Sequence, residues 1–203
     1  MSLPPLPMRP TRAGMSRRTR TRLAFVLGGC ILAVAATAVL LAVFPPGKEA
    51  LLPLGAAAPG FTLRTTAGAT VSLQRLRGKA VLVEFCASWS SRCVAQVPAL
   101  NRLRALSPAA LVSVDGDSED AASVAAFGRT FHARFPLALD PGPTTVSFPA
   151  HGPRGPVTGR YHVTAFPTFY VLDPRGRVAW RSPGEQPVAL LARELERAAR
   201  PVP

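Results

Sequence analysis

The chain has 203 residues, 48% of them hydrophobic, enough for one sizeable core with additional segments but not for several large domains. Its 24 basic and 11 acidic residues give a net charge of +13, which makes an anionic partner the first class to weigh. Six of those charges are arginines in residues 1–22, and the other basic residues are scattered singly with no basic run and no interleaved aromatics, which argues against nucleic-acid binding.

Residues 1–22 carry Arg9, Arg12, Arg17, Arg18, Arg20 and Arg22, several prolines and no acidic residue, and read as a basic cytoplasmic tail. Leu23 to Phe44 then runs without a charge. As a helix this stretch is about 33 Å long, enough to cross a bilayer. Pro45-Pro46-Gly47 ends it. A cleaved signal peptide is the competing reading, but its apolar region is roughly 7–15 residues long, and the small-x-small pattern Ala36-Thr37-Ala38 lies inside the apolar run rather than after it. The expectation is an uncleaved single-pass anchor over 23–44 in the cytoplasmic (inner) membrane. The basic flank puts the N-terminus in the cytoplasm and the C-terminal domain on the periplasmic or extracellular side.

Residues 45–57 read as a linker into a domain over 58–203. Phe61 to Arg64 and Val71 to Leu73, around Thr66-Ala67-Gly68, predict a small β-hairpin. Leu76-Arg77-Gly78-Lys79 turns into a strand over 80–85, apolar except for Glu84, as suits a central strand buried on both faces. A helix follows from about Cys93 to about Leu106, with Ser90 as its N-cap and Pro98 bending it. Leu111 to Val114 is the next strand. Asp117 or Ser118 caps a further helix, with Glu119 and Asp120 in its first turn, that runs to about Phe131. Residues 141–159 are rich in proline and glycine and read as an inserted loop. Phe169 to Leu172 and Val178 to Trp180, joined by Asp173-Pro174-Arg175-Gly176, predict a second hairpin, and Pro187 opens a last amphipathic helix ending near Ala199. Alternating strands and helices followed by a hairpin predict an α/β domain with a mixed sheet.

Cys30 lies inside the apolar span and reads as a small apolar residue. Cys86 and Cys93 fall in the outer domain, in a compartment that permits disulfides, so whether they pair is an open question at this level. His132, His151 and His162 are far apart, no Cys/His cluster has metal-ligand spacing, and no metal or cofactor is expected. The stretch with the most chemical content is Trp89-Ser90-Ser91-Arg92-Cys93, at the junction of strand and helix.

Several ordered segments share a pattern: Phe61-Thr62-Leu63, Val71-Ser72-Leu73, Leu76 to Lys79, Val81 to Phe85, Ala87-Ser88-Trp89, Cys93, Pro98-Ala99-Leu100, Tyr161 to Phe169 and Leu172 to Val178. Together they resemble the TlpA/ResA group of membrane-anchored thioredoxin-like proteins, in the redoxin/AhpC-TSA superfamily, over about residues 58–185. The resemblance implies a thioredoxin-like fold: a mixed central sheet flanked by helices, with an N-terminal β-hairpin, preceded by one transmembrane helix. It also implies thiol redox chemistry that needs no cofactor. The chain departs from the pattern at the site itself. Ser90 holds the first cysteine position of the Trp-Cys-x-x-Cys motif and only Cys93 remains, a degenerate Ser-x-x-Cys site. Pro167 resembles the cis-proline beside the site, with Trp89 and Phe166 completing a groove for an extended peptide. Glu84 falls where the group holds a buried acid that assists proton transfer; a carboxylate that reaches the sheet edge to pair with an arginine is an equal alternative.

Ser90 cannot form a thiolate, so turnover through residues 90 and 93 is not expected. Three chemistries stay open: a non-standard dithiol of Cys86 and Cys93, a peroxiredoxin-like thiol peroxidase that attacks peroxide with Cys93, and a non-catalytic module that binds peptides or holds a membrane assembly. The preferred expectation is a membrane-tethered, extracytoplasmic thiol-disulfide oxidoreductase with an atypical site. Cys93 is its reactive thiol, Cys86 its partner, Glu84 the proton carrier, Ser90 the cap or hydroxyl donor, and Trp89, Phe166 and Pro167 the substrate contacts. The expected partners are protein thiols and disulfides or peroxide, together with the membrane; the oligomeric state is left open.

Overall fold

The computed structural model describes residues 51–107, 109–117, 120–141 and 155–200. The basic tail, the expected span 23–44 with Cys30, residues 45–50, Ser118, Glu119, His151 and most of the 141–159 insert lie outside the described residues. Among those described, no helix is long and apolar enough to cross a membrane.

In chain order the elements are β1 (Thr62–Arg64), β2 (Thr70–Ser72), a 3-10 turn (Leu73–Leu76), β3 (Val81–Cys86), α1 (Ser91–Leu106), β4 (Ala110–Asp115), α2 (Ala121–Thr130), β5 (Leu137–Leu139), α3 (Pro156–Arg160), β6 (Thr168–Leu172), β7 (Val178–Pro183) and α4 (Val188–Ala199). β1 and β2 pair antiparallel as the expected hairpin, and Gly68, at φ +80°, takes the left-handed position that its turn requires. The main sheet has the order β5-β4-β3-β6-β7. β4 runs parallel to β3 and β5, while β6 runs antiparallel to β3 and β7. The short α1 and α2 crossovers produce the parallel half, and the tight Asp173–Gly176 turn produces the antiparallel half.

β3 is central and fully buried along its length. Its side chains alternate between two layers. Val81, Val83 and Phe85 join Tyr161, Tyr170 and the β1–β2 hairpin on one face. Leu82 packs on the other face with Val97, Leu100 and Leu103 of α1, Phe127 of α2, and Leu191 and Leu195 of α4. Glu84 points the same way as Leu82, which puts a carboxylate under the helical layer. The mixed sheet flanked by helices, with α1, α2 and α4 packing with Leu82 and α3 packing with Val83 and Phe85, is the architecture expected from the sequence.

Four local features differ from the sequence reading. Residues 55–57, read as the end of a linker, instead run along the start of β7: Gly55 N–H donates to Val178 O and Val178 N–H to Ala56 O, at 2.8 and 2.9 Å. The cap of α2 is Asp120, whose carboxylate accepts from Ala122 N–H and Ser123 N–H, both at 2.9 Å, rather than Asp117 or Ser118. β5 went unread because Leu137–Leu139 is a three-residue apolar run next to Pro136, too short to show a period. The end of the proline-rich insert is helical: α3 starts with Pro156 at its first position, and the buried carboxylate of Asp140 accepts from Val157 N–H (3.1 Å), Thr158 N–H (2.7 Å) and Thr158 Oγ1 (2.7 Å).

Candidate active site

β3 stops at Cys86 and α1 starts at Ser91, and the loop Ala87–Ser90 turns the chain between them. Ser90 N–H donates to Ala87 O (3.1 Å), and Val94 N–H then donates to Ser90 O (3.0 Å), opening the helix. This turn brings Cys86 and Cys93 to a Cα separation of 6.0 Å, within the span of a disulfide, and their sulfurs are bonded. Of the arrangements the sequence left open for the two thiols, the structure has the paired one. Both cysteines are buried, Cys86 at 6% exposure and Cys93 at 1%. Ser90 is the N-cap residue as expected, but its side chain makes no capping hydrogen bond, so its contribution is positional.

Glu84 is 1% exposed and faces Ser113, its register partner on the parallel strand β4. Its Oε1 lies 3.6 Å from Cys86 Sγ. Burial pushes the Glu84 carboxyl up to about 7, and a hydrogen bond from the Ser113 side chain opposes part of that rise. Near neutral pH the group can therefore both hold and release a proton. Among the described residues Glu84 has no arginine partner, which favours the buried-acid reading over the edge ion pair. The sulfur it approaches is that of Cys86.

Trp89 lies on the loop that closes the disulfide ring and is 48% exposed. Its Nε1–H donates to Asp117 Oδ2 (2.6 Å), and its ring meets Phe166 edge-on with centroids 6.2 Å apart. The Phe166–Pro167 peptide is cis. Pro167 O accepts from Gly184 N–H (2.7 Å), while the backbone of Phe166 makes no hydrogen bond among the described residues. Gly116 lets the Phe166 ring sit close: a Cβ there would be 2.8 Å from the ring. Trp89, Phe166 and Pro167 thus form one neighbourhood beside the loop.

Sequence reasoning missed Ser113 and Asp117. Ser113 lies within β4 and Asp117 two residues beyond its end, so their partners are fixed by sheet register and loop closure, and no local pattern encodes either. Arg92, adjacent to the motif, is exposed on α1, as are His132 and His162 in their turns. Among the described residues no group of three His, Cys, Asp or Glu could hold a metal ion.

Comparison with known proteins agrees with this architecture. The model of the AhpC/TSA family matches residues 54–181. The thioredoxin-like protein YneN of Bacillus subtilis is 32% identical over 133 residues, 64% of this chain and 71% of that protein. The thiol-disulfide oxidoreductase ResA of Bacillus thuringiensis is 28% identical over 142 residues, 68% of this chain and 75% of its own length. Among solved structures, a candidate thiol:disulfide interchange protein DsbE from Chlorobium tepidum superposes with a TM-score of 0.61 at 27% identity, covering 72% of this chain and 98% of the other. The thioredoxin domain of a Bacteroides vulgatus thiol-disulfide oxidoreductase, at 22% identity and a TM-score of 0.57 over 72% of this chain and 97% of that one, shows the same fold. With a family match over more than half its length, this chain belongs to the AhpC/TSA family and has the thioredoxin-like fold of its ResA-type relatives.

Proposed function

We propose that this protein is a thiol-disulfide oxidoreductase that exchanges disulfides with protein thiols through the Cys86–Cys93 pair. The observation that carries the reading is the disulfide itself, which links the end of β3 to the first turn of α1 beside Trp89, Phe166 and Pro167. Two further features support it. A buried acid near its half-protonated point sits within reach of one sulfur. Relatives with this fold carry thiol-disulfide oxidoreductase names. In this reading the dithiol has been relocated: Ser90 is no longer a sulfur position, and Cys86, on the strand, replaces it.

Disulfide exchange moves two electrons with sulfur alone, so the reaction needs no cofactor. The protein supplies orientation, a buried environment for the sulfurs, a proton store at Glu84 and a helix N-terminus beside Cys93. The half-exposed Trp89 ring, braced edge-on by the buried Phe166, offers an apolar contact for the substrate chain next to the backbone of Phe166.

The domain works, in this proposal, outside the cytoplasm on a single N-terminal anchor. The support is the six-arginine tail followed by the uncharged run 23–44. Protease added outside intact spheroplasts should remove the domain and leave a membrane-bound N-terminal fragment; full protection of the domain reverses the orientation.

The enzymatic test is catalysis by the full-length chain of insulin reduction by dithiothreitol. Turnover above the uncatalysed rate, abolished by Cys86→Ser, is expected. A wild-type rate equal to the uncatalysed rate leaves a non-catalytic module. Sulfenate trapped at Cys93 with stoichiometric hydrogen peroxide moves the function to peroxide reduction.

A further inference from the structure

Cys86 and Cys93 lie in different surroundings. Cys93 is the third residue of α1, and the helix begins with no side-chain cap and no acidic residue in its first turn. A negative charge on Cys93 Sγ is favoured by the N–H groups of that turn and by the helix dipole. Cys86 ends β3, with the Glu84 carboxyl at 3.6 Å. It also borders a small cavity of about 10 Å³, with room for about one water, whose other walls include Ser88, Ser113, Asp115 and Phe127. Cys93 does not line that cavity. Cys86 is also the less buried of the two.

Disulfide exchange is an in-line displacement: the incoming sulfur approaches opposite the departing one, and the better-stabilised thiolate departs. The cavity walls come from β4, β5, α2 and the Ala87–Ser88 loop, so of the two sulfurs only that of Cys86 borders a gap in the packing. Resting on the oxidoreductase reading above, we propose that Cys86 is the sulfur that bonds to substrate and Cys93 the sulfur that resolves. This exchanges the two roles expected from the sequence, where Cys93 was the reactive thiol.

The steps balance as follows. Acting on a substrate disulfide, the reduced Cys86 thiol passes its proton to the Glu84 carboxylate, and its sulfur attacks one substrate sulfur. The other substrate sulfur leaves with the bond's electron pair and takes up a proton. The Cys93 thiolate then attacks Cys86 Sγ, forms the Cys86–Cys93 bond and expels the first substrate sulfur as a second thiolate, which is protonated in turn. The substrate disulfide has gained two electrons, and the pair has lost two. In the opposite direction a substrate thiolate attacks Cys86 Sγ, Cys93 leaves as the helix-stabilised thiolate, and the second substrate thiol displaces Cys86, which takes its proton from Glu84. Each sulfur thus has its own device: a proton store for Cys86 and a helix N-terminus for Cys93.

The test uses the full-length chain under native conditions with oxidised glutathione, followed by peptide mass mapping. Cys93→Ser should accumulate a glutathione adduct on Cys86, because nothing resolves it. Cys86→Ser should leave Cys93 unmodified until denaturant is added. An adduct on Cys93 of Cys86→Ser, matching or exceeding that on Cys86 of Cys93→Ser, overturns the assignment while leaving the oxidoreductase reading intact if wild-type insulin reduction persists. Absence of wild-type turnover overturns both. A measurement independent of either variant's folding is acid quenching of the reduced wild-type chain shortly after mixing with oxidised glutathione: glutathione bonded chiefly to Cys86 supports the assignment, and glutathione bonded chiefly to Cys93 overturns it.

Discussion

Glu84 and Cys86 sit two residues apart on one face of β3, with Oε1 of the acid 3.6 Å from the sulfur. Strand periodicity fixes this pairing, because residues i and i+2 of a strand share a face. It also explains why the acid is under the helical layer and why its carboxyl is pushed up to about 7. The acid and the sulfur are therefore positioned by one rigid element.

The Glu84 carboxyl sets a pH dependence of stability. Its value rises from 4.5 to about 7 on folding, so between those pH values the folded chain keeps a proton that the unfolded chain releases. Stability due to this group is fully present below pH 4.5 and is lost as pH rises through about 7. The full effect is of order 3 kcal/mol. Glu84→Gln should remove this dependence, so the stability difference between wild type and variant should grow across the window. Urea unfolding of both chains at several pH values measures it; parallel curves would count against a buried, raised acid.

The same substitution should slow exchange. A glutamine cannot carry the proton of Cys86, and general acid–base assistance is worth about a hundredfold at the low end of its usual range. Insulin reduction by Glu84→Gln should fall by about that factor near neutral pH. The loss should shrink at high pH, where the Cys86 thiolate forms without help. A uniform loss at every pH would point to a packing role instead.

The disulfide closes a short ring, with the two cysteines seven positions apart. In the chain-entropy view so small a loop contributes about 2 kcal/mol. Reduction by dithiothreitol, or the double substitution Cys86→Ser with Cys93→Ser, should lower stability by about that amount without unfolding the domain. Thermal melts of oxidised and reduced wild type check it, and a reduced chain that is unfolded at room temperature contradicts it.

Gly116 holds open the space that Phe166 occupies. In Gly116→Ala the new methyl would meet the Phe166 ring at 2.8 Å and Thr158 Oγ1 at 2.9 Å, so the ring must move. The Trp89–Phe166 platform should be disturbed while the sulfurs stay in place. The expected signature is a raised KM for a protein disulfide, with little change in the rate of Cys86–Cys93 reduction by dithiothreitol. Equal losses in both assays would show that the substitution acts on the dithiol itself.

Asp140 is the anchor of α3, with three hydrogen bonds to Val157 and Thr158 from a carboxylate that is fully buried. Asp140→Ala leaves these donors without their acceptor and should cost about 2–4 kcal/mol. Gly155→Ala should be comparably damaging, because its Cβ would run into the Asp140 carboxylate. Both are read by urea unfolding; a change under 0.5 kcal/mol, the size usual for a surface site, would show that α3 is not held this way.

The sequence by itself determined the order of the longer elements, the central position of β3 and the cysteine, acid and aromatic residues that make up the candidate site. These rest on signals carried within a few residues: an unbroken apolar run broken once by Glu84, an apolar–turn–apolar hairpin, and the Trp89–Cys93 motif at a strand–helix junction. β5 and α3 were not legible, since a three-residue strand and a five-residue helix are too short to display a period. Tertiary structure alone decided the questions of contact. A seven-residue spacing is compatible with both paired and separate thiols, and only the fold of the Ala87–Ser90 turn brings Cys86 and Cys93 to 6.0 Å. Which sulfur Glu84 serves, which serine bonds it and what holds Trp89 depend on sheet register and loop closure between residues far apart in the chain. Such contacts are set by the packing of the whole domain, which no local pattern records.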